Sequence, residues 1–77
     1  MSNNVTLESA AALVEKIKTA QSAAGMNESR FALAMGISRA NWFLIKKGDR
    51  GLSSDFLKAV MRVFPELEAD ILAYMKA

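Results

Sequence analysis

Apolar residues along the chain recur three and four positions apart. Leu7, Ala10, Leu13, Val14 and Ile17 form one stripe, Phe31, Ala32 and Met35 a second, and Trp42 and Ile45 a third. No alternation of period two is sustained, so the pattern predicts amphipathic helices and an all-α fold. Thr6 is placed to cap a first helix behind a polar, flexible tail over 1–5, and Gly25 to stop it. Asn27 suits the cap of a short second helix over 28–35, which Gly36 ends. Ile37 is then an apolar pin in the turn, and Ser38 caps a third helix over 39–47, closed by the glycine of "KKGDRG".

Ser53 begins a fourth helix, with Asp55 in the first turn where the helix dipole favours an anion. Phe56, Leu57, Val60, Met61, Val63 and Phe64 leave it only Asp55, Lys58 and Arg62 as a polar stripe. Such a helix belongs at the centre of a fold or against a second chain. Pro65 breaks it and opens a fifth, over 66–76, with Leu67, Ile71, Leu72 and Met75 on its apolar side. "GISRANWFLIKKGDRG", residues 36–51, departs from the even spacing, because Trp42, Phe43, Leu44 and Ile45 are consecutive. Trp42 and Ile45 share a helical face and are expected in the core; Phe43 and Leu44 point elsewhere.

Composition narrows the function. A chain of 77 residues, 52% apolar and 23% charged, is expected to form one domain, over 6–77, whose helices share a single interior. It holds neither Cys nor His. That removes disulfides, thiol chemistry, Cys/His zinc sites and imidazole catalysis, so no cofactor, no metal and no enzymatic activity are expected. No apolar run approaches the roughly 18 residues of a membrane span, and "MSNNVTLES" has no signal-peptide pattern; a cytoplasmic protein without membrane contact is expected. The net charge is only +2, but Arg30, Arg39, Lys46, Lys47 and Arg50 face Asp49 alone between positions 30 and 50. Any polyanion therefore binds the centre of the chain.

A helix, a glycine-containing turn and a second helix with basic residues in and after it is the plan of a helix-turn-helix. From "AAGMNESRFALAMGISRANWFLIKKGDR" into "SSDFLKAVMRVF", with "FPELEADIL" beyond, the sequence resembles the Cro and phage-repressor-like proteins, or XRE family. Gly25, Asn27, Phe31, Ala32, Gly36, Ser38, Ile45 and Gly48 stand where that family wants such residues.

The resemblance implies a five-helix, lambda-repressor-like DNA-binding domain with its helix-turn-helix at helices two and three. Base-reading positions then correspond to Arg39, Ala40 and Leu44. Arg39 can donate two hydrogen bonds to guanine, whereas Ala40 and Leu44 can only meet a thymine methyl or exclude other bases. Phosphate-contacting positions correspond to Asn27, Glu28, Ser38 and Lys47, with Arg50 in the following loop. Three departures stand out. Glu28 replaces a common Gln and would set a carboxylate beside a phosphate. Gln21 and Lys46 replace a common Arg and Glu pair, which frees Lys46 to lean toward DNA as a further phosphate contact. Trp42 replaces Val or Ile, and Phe43 and Leu44 replace polar residues.

The expected function is sequence-specific binding of double-stranded DNA at a palindromic operator, by a homodimeric transcriptional repressor of phage or mobile-element type. Candidates for the dimer interface are Leu67, Ile71, Leu72, Tyr74 and Met75. The rival reading is a small helical protein-interaction module, antitoxin-like or an adaptor, docking a protein partner through the apolar patch around Phe43.

Overall fold

The computed structural model describes the backbone of residues 2–76 and the side chains of residues 10–76. Five α-helices follow one another: α1, Ser2–Ala23; α2, Glu28–Met35; α3, Arg39–Lys47; α4, Ser54–Val63; and, after a 3₁₀ turn at Pro65–Leu67, α5, Glu68–Lys76. Among the described residues there is no strand.

Three of these helices begin where a short polar side chain takes up a free backbone amide, as helix starts require. Asn27 Oδ1 accepts from Arg30 N at 2.8 Å, Ser38 Oγ from Asn41 N at 3.0 Å and Ser53 Oγ from Phe56 N at 3.2 Å. The bounds of α2, α3 and α4 thus follow the expected caps. Gly36 ends α2 in the left-handed region, at φ 75°, and lets Ile37 N donate to Ala32 O at 2.9 Å. An L side chain at that φ is strained, and the tight α2–α3 turn depends on its absence.

Both ends of the chain depart from expectation. The backbone is already helical at Ser2, so Thr6 stands inside α1 and does not cap it. Neither Gly nor Pro occurs before Gly25 to interrupt the helix. The side chains of the expected 1–5 tail, of Thr6 and of Leu7 lie outside the described residues. At the other end, Pro65 starts a 3₁₀ turn, and α5 proper begins at Glu68, two residues later than expected. Pro65 has no N–H to give, and Leu67 N is satisfied by Phe64 O at 3.0 Å, which tightens the corner.

The core sits between all five helices. Leu13, Val14, Ile17 and Ala20 come from α1, Phe31, Ala32 and Met35 from α2, Trp42 and Ile45 from α3, and Phe56, Leu57, Ala59 and Val60 from α4. Phe64, Leu67 and Ile71 close it from below. Its centre is aromatic: the Phe31 and Trp42 rings lie 4.4 Å apart, and Phe56 stands 5.9 Å from Trp42 and 6.5 Å from Phe31. Because α4 gives residues to so much of this interior, its broad apolar surface is consumed within one chain. Lys16 on α1 reaches Asp70 on α5 at 2.8 Å and ties the two outer helices together.

Candidate nucleic-acid interface

The α2–α3 pair carries most of the residues singled out from the sequence. Trp42 and Ile45 are buried, as their spacing predicts, and they fix the rotation of α3 on the core. Arg39 and Ala40, the first two residues of α3, are consequently exposed, Leu44 is half-buried, and Phe43 is 57% exposed. Arg39, Ala40, Phe43, Lys46 and Glu28 line one shallow groove of about 280 Å³ between the start of α2 and the outer side of α3. Helix α2 opens this groove with its N-terminus. Asn27 and Ser38 are exposed, and each already uses its side-chain oxygen on its own helix. The Ser38 hydroxyl keeps its proton free to donate.

Lys46 does not lean free. Its Nζ lies 2.9 Å from Glu28 Oε2 and 5.4 Å from the centroid of the Trp42 ring. Hydrogen bonding from Lys46 holds the Glu28 carboxyl below its ordinary value of 4.5; desolvation opposes the shift, and the Lys46 charge with the Gln21 and Trp42 side chains adds to it. The Trp42 indole N–H favours the ionised carboxylate from a distance, since Nε1 is buried without a hydrogen-bond partner. Gln21, 7% exposed, spends its amide on Met26 O at 3.1 Å and braces the turn between α1 and α2. Thus Glu28 supplies the anion for Lys46 that the sequence alone did not reveal. In sequence Glu28 is a departure by itself and Lys46 one that goes with Gln21; only the packing of α2 across α3 joins Glu28 to Lys46.

Lys47 sits at the far end of α3, 3.2 Å from Asp49 Oδ2 and with Nζ 5.3 Å from the Phe43 ring centroid. Arg50 stands apart from the groove, beside Ile37, Asn41 and Ser53 where the α3–α4 loop passes the α2–α3 turn. Among the described residues no carboxylate pairs with Arg30, Arg39 or Arg50. Of the cations that line the groove, Arg39 can therefore be offered without first breaking an ion pair, whereas Lys46 cannot.

Two of the expected dimer residues are unavailable. Leu67 is 8% exposed and Ile71 fully buried, because both fill the core beneath α1 and α4. Tyr74 is half-buried against the core, while Leu72 and Met75 are each 44% exposed. No helix among the described residues is long and apolar enough to cross a membrane. Comparison of the chain with protein-family models, with curated proteins and with solved structures finds no match.

Proposed function

We propose that the chain is a helix-turn-helix module that binds double-stranded DNA by sequence, with α3 entering the major groove, and that it acts without enzymatic chemistry as a homodimeric, cytoplasmic repressor of phage or mobile-element type. One observation carries the reading: burial of Trp42 and Ile45 turns Arg39, Ala40, Phe43 and Lys47 outward, and the first three line one groove with the start of α2. An exposed helix face led by an arginine suits a base edge, and an amide-rich helix start suits a phosphate. Repression would follow from occupancy of the operator.

Dimerisation supports this function because a single α3 contacts too few base pairs to define a site, and two-fold pairing sets two such helices one turn apart, about 34 Å. Leu72 and Met75 on α5 remain the exposed apolar residues for it. The test is to incubate the protein with a pool of random duplexes and sequence those retained. Enrichment of an inverted repeat with half-sites one turn apart supports the proposal; retention without enrichment removes sequence specificity from it.

A second reading, a protein-docking module, draws on Phe43 and on Leu33, which is 81% exposed on α2. A partner captured through Phe43, together with failure to bind any duplex, would favour it.

A further inference from the structure

Around α3, at about 100° per residue, the outward residues fall in the order Arg39, Phe43, Lys47, Ala40, Leu44 over an arc of roughly 140°. Trp42 and Ile45 occupy the opposite, buried side. Phe43 therefore does not stand off to one flank. It lies between Arg39 and Lys47, and it lines the same groove as Arg39 and Ala40.

The chemistry of this arc is lopsided. Arg39 is its one planar donor, and the Lys47 ammonium is held near the Phe43 ring and the Asp49 carboxylate. The remaining three residues, Ala40, Phe43 and Leu44, have no side-chain donor or acceptor at all. Lys46, at the edge of the arc, is neutralised by Glu28. An apolar surface beside an arginine that no described carboxylate pairs is a poor seat for an apolar protein helix, because covering Phe43 would strip water from Arg39 without giving it a counter-charge. A nucleic-acid duplex supplies both needs, with phosphates for the cations and one apolar group on the floor of its major groove, the 5-methyl of thymine.

We infer that Ala40, Phe43 and Leu44 form a methyl-reading surface, which selects thymines at the steps adjoining a guanine held by Arg39. The inference rests on the duplex-binding reading above and names the chemistry by which that site chooses its DNA. It assigns Phe43 to base recognition, with its ring as the largest apolar contact. Ala40 serves by being small, which lets the start of α3 approach the base edges closely.

The test replaces thymidine by deoxyuridine, position by position, in the duplex enriched from the random pool. This deletes only the methyl and leaves every hydrogen-bonding group in the groove unchanged. The intact protein is expected to lose about fourfold in affinity for each contacted methyl. Phe43→Ala is expected to bind the thymine and uracil duplexes equally at the step Phe43 reads, Leu44→Ala likewise at its own, and Phe43→Leu to keep the preference. Circular dichroism of each variant, compared with the parent, checks that the helices persist. If the parent binds the two duplexes alike while Arg39→Ala still weakens binding, the DNA reading stands and the methyl inference is wrong. A preference for thymine that survives both alanine variants also overturns the assignment. If no duplex is bound at all, both readings fall.

Discussion

Lys46 Nζ lies 2.9 Å from the Glu28 carboxylate, across the junction of α3 with the first turn of α2. The pair anchors the entrance of one helix to the exit of the other, and the indole of Trp42 lies beneath the ammonium. The Glu28 side chain is 52% exposed, so water screens the attraction, and such a pair contributes at most about 1 kcal/mol.

Its pH dependence has a definite sign. The folded-state pKa of Glu28 is lowered, so the pair's contribution is fully present above the ordinary value of 4.5 and is lost as pH falls through the lower folded value. Thermal melts of the parent and of Glu28→Gln should therefore differ at neutral pH by a few degrees and converge in acid. A difference that persists or grows below the carboxylate range would contradict the pairing.

On the proposed DNA binding, the same substitution is expected to act in the opposite direction. Glu28→Gln removes a negative charge from the start of α2 and releases Lys46 to reach phosphate. Affinity for any duplex should rise, and the slope of log affinity against log salt should steepen by about one unit. Unchanged affinity would place the α2 N-terminus away from the DNA backbone.

Arg39 and Lys47 should behave differently although both are cations on α3. Arg39→Ala is expected to cost about 1–3 kcal/mol on the selected site and to relax the choice at one base pair, with little effect on random duplex. Lys47→Ala is expected to weaken all duplexes alike and to reduce the salt slope by about one unit. Equal losses on selected and random DNA for Arg39→Ala would remove it from base reading.

Stability should depend on the inner half of the "WFLI" run. Trp42 is 1% exposed and packs on Phe31 and Phe56, so Trp42→Ala should cost about 3–5 kcal/mol, a large part of what holds a domain this small together. Leu33→Ala, at 81% exposed, should change chemical denaturation by less than about 0.5 kcal/mol. Comparable losses would mean that Leu33 is covered in solution, by a second copy or another surface.

The caps and periodicity made α2, α3 and α4 legible, because Asn27, Ser38 and Ser53 act on amides within three residues. The buried set of α2 and α3 was legible for the same reason, since apolar spacing fixes rotation. What escaped was set by contacts distant along the chain. Leu67 and Ile71 look like Leu72 and Met75 in sequence, and only the position of the 3₁₀ turn and α5 against α1 and α4 decides that the first two are core. Lys46 found Glu28 eighteen positions away, which no local rule indicates. Sequence alone leaves Phe43 unassigned; its place between Arg39 and Lys47 follows from helical geometry with Trp42 and Ile45 buried.

The outer face of α3 and the start of α2 are proposed to meet a DNA duplex. The deciding measurement is the protein's affinity for the enriched duplex and for a scrambled one across a range of salt concentrations. Log affinity is expected to fall linearly with log salt for both, with a slope of several units, and the enriched duplex to stay tighter throughout by at least about 10³-fold. Absence of binding at low salt, or affinities that do not respond to salt, would contradict that proposal.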